Sequence, residues 1–352
     1  MTSLPMRDIA WFRRSGNAGV MALLTLLAAG AVMASLAVGA SAISPRGVLA
    51  VLLHSAESNP RDAAIVLQLR LPRTLLGFGV GAALAVSGAM MQGLFRNPLA
   101  DPALIGVSAG GAMAAVAVIV LGVPAMLVGV TGPFALPLAA FLGSLGTTFA
   151  IQRIARGDSR TDVATLLLAG IAVNAIAWAV TGFLIFGSDD RQLRDITFWS
   201  MGSLGGATWT TVLGLTPFVV GAVFAAGRWA GVLDALLLGE REASLLGFDV
   251  EPAKRRIVIV TAAAVGAGVA AAGVIGFVGL VVPHLVRLLA GAGHRLLLPA
   301  SALLGGTLTL CADMVARTIV APAELPIGLV TALLGGPFFL WLLIRQRRSF
   351  SP

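Results

Sequence analysis

Three short segments carry the residues with most chemical potential in a chain that has few polar side chains to spend. Leu69-Arg70-Leu71-Pro72-Arg73 sets two arginines one helical turn apart at the mouth of an apolar run. Arg96-Asn97-Pro98-Leu99-Ala100-Asp101-Pro102 is a turn signature at the other end of that run. Ala323-Glu324-Leu325-Pro326-Ile327-Gly328 leads into the last apolar run, shortly after Arg317. None of these is a catalytic constellation, because no nucleophile with a base and an orienting group is visible. The single lysine, Lys254, follows Ala253. A phosphate-binding loop needs Gly-Lys-Ser/Thr, so the chain has no means of holding ATP in that manner.

The remaining candidates read as packing. Gly266-Ala267-Gly268-Val269-Ala270 imitates part of a dinucleotide fingerprint, but no strand surrounds it. His54, His284 and His294 lack paired spacing and are expected at loops or interfaces rather than on a metal. Met90 and Met91 point different ways on a helix and read as gap fillers. Cys311 is the one cysteine and lies in an apolar run, where core packing is expected. It offers neither an intramolecular disulfide nor a thiolate cluster.

The elements that must position these residues follow from composition. Of 352 residues, 58% are hydrophobic and 11% charged, with mean hydropathy +0.95. Soluble domains carry about 25% charged residues, and one soluble core of this length cannot absorb so much apolar surface. The chain therefore reads as a polytopic helical membrane protein, each span being a helix of about 20 residues. The 43 glycines suit close helix packing, as in the pair Gly77 and Gly81. The net charge of +8 is scattered between apolar runs, which argues for topology signals over a nucleic-acid surface.

Ten spans are expected, at about 19–38, 71–91, 103–121, 133–151, 164–186, 208–226, 257–272, 276–290, 297–311 and 325–344. The first follows Arg7, Arg13 and Arg14 and exceeds the apolar core of a signal peptide, so it reads as a retained helix despite Ala40-Ser41-Ala42. With the N-terminus inside, the outer segments hold Arg46, Arg61, Arg70, Arg73, Arg191, Arg194 and Arg317. These are seven of the 24 Lys and Arg residues, leaving 17 inside, including Arg153/Arg156/Arg160, Lys254/Arg255/Arg256 and Arg345/Arg347/Arg348.

Two connections exceed a turn. The outer loop, residues 187–207, carries Asp189, Asp190, Arg191, Arg194 and Asp195, with Trp199 and Trp209 placed as interface anchors. The inner segment, residues 228–256, reads as amphipathic helix, because Leu233, Leu236, Leu237, Ala243, Leu245 and Leu246 recur at helical spacing among Asp234, Glu240, Arg241 and Glu242. It is either a surface helix or a dock for a partner. Asp and Glu avoid the middles of the spans, which disfavours an ion-coupled transporter.

Four stretches resemble the FecCD/BtuC family of permeases. They are Leu69–Arg73 through Gly88 to Asp101-Pro102 and Gly106-Val107-Ser108; Leu166-Leu167-Leu168-Ala169-Gly170; Gly276 through His284; and Ala312-Asp313 with Ala316-Arg317 through Glu324–Gly328 to Pro337. The resemblance spans nearly the whole chain. It implies a single ten-helix transmembrane domain over residues 1–352, a homodimer around a central path, two ATP-binding subunits and a periplasmic substrate-binding protein. The protein would sit among lipid in a bacterial inner membrane, both termini cytoplasmic, moving cargo without altering it. No cofactor is implied for this chain; ATP and Mg would reside on the partner ATPase.

By the same resemblance, Arg70, Arg73 and Arg317 meet glutamates of the binding protein. Asn97, Leu99, Val163 and Ala164 map onto the inner gate, although the family is more polar at the last two. Leu236, Leu238, Gly239, Glu240, Leu246 and Gly247 map onto the ATPase coupling helices. The segment Asp195–Trp209 is most similar to the haem-importing branch, with ferric-siderophore or cobalamin import as the alternative.

Overall fold

The computed structural model describes residues 17–55, 59–123, 132–156 and 162–347. Arg7, Arg13, Arg14, Arg160 and Arg348 lie outside the described residues. Among the described residues the protein is helical throughout. Ten apolar helices are present: α1 (Asn17–Ala37), α2 (Leu71–Leu94), α3 (Val107–Leu121), α4 (Ala135–Ala155), α5 (Val163–Phe186), α6 (Trp209–Leu236), α7 (Val250–Ala272), α8 (Val278–Ala290), α9 (His294–Ala316) and α10 (Ile327–Arg347). The chain is a multi-pass membrane protein.

Helix α2 is the axis of the fold, with Val80 through Leu94 buried without interruption. Its glycines permit that position. A β-carbon on Gly88 would overlap the carbonyl oxygen of Gly279 in the first turn of α8, and one on Gly81 would overlap that of Gly305 in α9. Small residues let membrane helices approach to backbone contact. Met90 and Met91 are fully buried in this core, as gap fillers should be.

Several boundaries differ from the sequence reading, each for a local reason. The third span starts at Val107, not Ala103, because Asp101 caps a 3-10 turn over Pro102–Ile105 and Gly106 breaks it at φ +84°. Helix α6 runs on to Leu236 and α7 begins at Val250, so the connection between them is short. Leu233 and Leu236 supply the reason, since both are buried and hold the helix end against the core. Before α2 the chain is already helical from Pro60, passing through a π-helical turn at Ile65–Arg70. The 187–207 loop folds as a helix over Asp190–Ser200, opened by a capping box between Asp189 and Gln192.

Helix α8 has only 13 residues, about 20 Å at 1.5 Å per residue, too short to span by itself. The irregular stretch Gly273–Phe277 completes the crossing. Gly273 N donates back to Val269 O at 2.8 Å, and Val278 N donates to Gly276 O at 2.9 Å. The neighbouring 201–203 segment is tied to Ala272 O by Ser203 N, and to the start of α10 by the Ile327 and Gly328 amides at 3.1 and 3.0 Å. An apolar groove of about 290 Å3 opens beside it, lined by Phe277, Val281, Leu308, Cys311, Leu334 and Phe338. Cys311 is therefore exposed on that groove, correcting the expectation that it is buried. His284 and His294 are buried, not loop residues.

Candidate functional site

The polar residues collect at the two ends of the bundle. At the end where α1 finishes, Arg70 projects from the π-helical turn toward the orphan carbonyls of α1. Its guanidinium donates to Leu36 O at 2.8 Å, to Ala37 O at 2.7 Å and to the carbonyl oxygen of Ser41. Arg317 reaches the same helix, donating to Ser35 O at 2.8 Å and Ser35 Oγ at 3.0 Å; that hydroxyl lies 2.8 Å from Thr74 Oγ1. Arg73 clasps Asp313 through both oxygens at 2.9–3.1 Å and donates to Glu324 Oε1 at 2.9 Å. The three arginines thus form one network joining α1, α2 and α9.

This placement differs from the exposed rim expected of them. Arg70 and Arg317 are buried and Arg73 nearly so. Unpaired charge or carbonyl at this depth is costly, so the guanidiniums turn inward to Asp313 and to the end of α1. Asp313, the hub of the network, and Ser35 were not foreseen from sequence. The Ala312-Asp313 and Ala316-Arg317 spacing, four residues on one helix, was the available signal.

At the opposite end the Asn97 turn is built as an Asx motif. Leu99 N donates to Asn97 Oδ1 at 2.9 Å, and Asp101 Oδ1 accepts from Ala103 N at 2.8 Å. Arg96 adopts φ +50° to enter it. Burial pushes the Asp101 carboxyl above its usual range, against the pull of that amide. Asn97 is exposed and Leu99 half-buried. Helix α5 packs on this turn through Asn174 Nδ2, 3.1 Å from Ala103 O, and through Gly170, whose absent side chain makes room for Leu104 O. Val163 and Ala164 form the first turn of α5 at the same end, Val163 half-buried and Ala164 exposed. Asp162 caps that turn. Its carboxyl is held below the usual range by the Thr165 hydroxyl and amide, then by the Ala164 amide and the Lys254 ammonium.

Between α6 and α7 a short helix covers Glu240–Leu245, flanked by Gly239 at φ +138° and Gly247 at φ +86°. Leu238, Leu245 and Leu246 are 68, 80 and 62% exposed. Leu236 is buried and Ala243 fully so, which removes Leu236 from the surface on which sequence had placed it. Glu240 Oε2 pairs with Lys254 Nζ at 3.0 Å. Asp234 accepts from the His294 amide at 2.9 Å and lies 2.6 Å from its Nδ1, fastening α6 to α9.

Among the described residues, ten apolar helices, an irregular stretch beside the shortest of them and polar networks at the two ends define a multi-pass membrane protein. A sequence model of the FecCD transport family matches residues 25–345. The chain belongs to that family, and is a permease of the type II ABC importer class. It is 47% identical over 341 residues to the hemin transport system permease protein HmuU of Yersinia pestis, covering 94% of this chain and 96% of that one. It is 46% identical to the cobalamin import system permease protein BtuC of Halobacterium salinarum, covering 81% and 74%. BtuC of Vibrio cholerae, a vitamin B12 import permease, is 44% identical, covering 82% and 85%. A solved structure described as a metal-chelate type ABC transporter in an inward-facing conformation matches with TM-score 0.78 and 31% identity, over 93% of this chain and 99% of that one.

Proposed function

We propose that the protein is the permease of a haem importer of the bacterial inner membrane, working as a homodimer with two ATPase subunits and a periplasmic binding protein. The observation that supports haem is the 47% identity to a hemin permease along almost the full length of both chains. Cobalamin or a ferric siderophore is the second reading, favoured by cobalamin permeases at 46 and 44% identity. ATP hydrolysis belongs to the partner, which fits a chain whose one lysine follows alanine.

In this reading the end bearing Asn97 and Glu240 faces the cytoplasm, together with both termini. The exposed Leu238, Leu245 and Leu246 around Gly239, Glu240 and Gly247 receive the ATPase. Asn97, Leu99, Val163 and Ala164 narrow the inner mouth. Closure of the ATPase pair moves the docking segment and shifts the gate, a rigid-body switch. Binding-protein docking at the other end falls chiefly to Arg73, whose partner Glu324 is 44% exposed and exchangeable for an incoming carboxylate. Arg70 and Arg317 hold the frame behind it.

The test is ATPase stimulation of the reconstituted complex, with its binding protein, by hemin, a ferric siderophore and cobalamin in parallel. Hemin is expected to stimulate most. Stimulation by cobalamin alone overturns the haem assignment.

A further inference from the structure

The N-terminus of α9 is capped from another helix. Gly293 precedes it and has no side chain to offer, so its first amides would be orphans. Asp234, in the last turn of α6, takes the place of the missing cap. Its Oδ1 accepts from the His294 amide at 2.9 Å and from His294 Nδ1 at 2.6 Å. A carboxylate only accepts, so the imidazole is the donor. The ring is 1% exposed. Its far nitrogen, Nε2, is buried without a hydrogen-bond partner among the described residues. That edge rests on the backbone of α2, where a β-carbon on Gly93 would lie 2.5 Å from Nε2 and 3.1 Å from Leu233 Cδ2.

Each side of this clamp leads by hydrogen bonds to a working segment. From Asp234 the chain turns straight into the docking helix. Leu237 N donates to Asp234 O at 3.3 Å, Gly239 N to Leu236 O at 3.1 Å and Ala243 N to Gly239 O at 3.0 Å. From Gly93 the chain turns into the Asn97 segment. Arg96 N donates to Gly93 O at 3.2 Å and Asn97 N to Gln92 O at 3.1 Å. Three helices thus meet at one imidazole, which is bonded to α6 and seated on α2.

We infer that His294 is a positioning residue that transmits displacement of the Glu240–Leu245 helix to the Asn97 turn, an inference that rests on the dock and gate reading above. A push on the dock moves the end of α6, Asp234 carries the ring with it, and the ring bears on Gly93.

The test reads cargo moved per ATP hydrolysed in proteoliposomes holding the full complex and binding protein, with hemin as cargo and cobalamin as the second. His294→Phe keeps a ring against Gly93 but cannot bond Asp234. His294→Asn keeps a donor for Asp234 but withdraws the ring. Asp234→Ala cuts the bond from the other side at a side chain already 39% exposed, which leaves the core undisturbed. Cargo per ATP should fall about five-fold or more in all three, the scale of a typical coupling free energy. The double variant of Asp234→Ala with His294→Phe should fall no further, because both cut one bond. Asp234→Asn, which still accepts through its amide oxygen, should keep most of the ratio. Wild-type cargo per ATP in Asp234→Ala or His294→Asn, even beside a lowered melting temperature, makes the clamp purely structural and overturns the inference. Losses that multiply in the double variant overturn it too. Wild-type uptake of each cargo reports separately on the functional reading.

Discussion

Arg73 and Asp313, 240 residues apart in the chain, meet in a two-oxygen clasp at 2.9–3.1 Å, with the Asp313 side chain 1% exposed. Removing Arg73 leaves the buried Asp313 carboxylate only its longer, 3.6 Å pair with Arg317. Arg73→Met should therefore destabilise the protein by about 3–5 kcal/mol. Thermal unfolding of the detergent-solubilised permease reads this as a lower Tm. Adding Asp313→Asn should recover part of the loss, because the stranded charge is gone. An unchanged Tm in Arg73→Met means the clasp is not structural.

Glu324 shares Arg73 but stands at the surface, 44% exposed. An exposed pair contributes about 0–1 kcal/mol. Glu324→Gln should accordingly leave Tm within a degree or two of wild type. By freeing one face of Arg73, it should tighten binding-protein association by up to about five-fold, within the same energy range. Affinity measured at two salt concentrations checks both parts, since the gain should shrink as salt screens it. Weaker association in Glu324→Gln would place the binding protein's contact on Glu324 itself.

The two arginine results mark where sequence was legible and where it was not. The ten helices and their order were readable, because hydropathy and the bilayer leave little choice of structure. The arginines were readable as a group but not in orientation. Spacing says that Arg70 and Arg73 share an end with Arg317; only the fold shows α1 ending beside them with carbonyls to satisfy. Leu236 failed for a similar reason. Helical periodicity marks an apolar face, but whether core or partner covers it depends on where α6 stops. Lys254 was visible as the only lysine, and Glu251 stands one turn before it, whereas Glu240 comes from another element and leaves no spacing signature.

Backbone proximity at Gly88 makes a sharper stability prediction. Gly88→Ala drives a methyl into the Gly279 carbonyl oxygen, which is backbone and cannot rotate away. Overpacking of this kind costs about 1–3 kcal/mol or more, read as a Tm loss together with reduced yield of folded permease. Gly214, in α6, is the control, since a β-carbon there meets nothing within 4 Å. Gly214→Ala should be neutral or stabilising by up to about 1 kcal/mol through helix propensity. Equal losses in the two variants would mean that α2 and α8 are not in backbone contact.

The last prediction concerns the exposed leucines between α6 and α7. Leu238, Leu245 and Leu246 are 68, 80 and 62% exposed on a connection too charged to sit in hydrocarbon, with Glu240, Arg241 and Glu242 beside them. Apolar side chains kept on such a segment make sense if a protein surface covers them. Because they contribute little to the permease's own core, the triple change to Ala should leave its Tm near wild type. If they anchor the ATPase, each buried leucine at an interface hot spot is worth roughly 1–2 kcal/mol, so the triple variant should lose at least about a hundred-fold in association. Co-purification of a tagged ATPase and its binding affinity both read the effect. Leu236→Ala, by contrast, removes a buried side chain and should lower Tm by the equivalent of about 2–5 kcal/mol. Full ATPase recovery with the triple variant would move the dock off this helix. A Tm loss matching that of Leu236→Ala would show that the three leucines belong to the permease core.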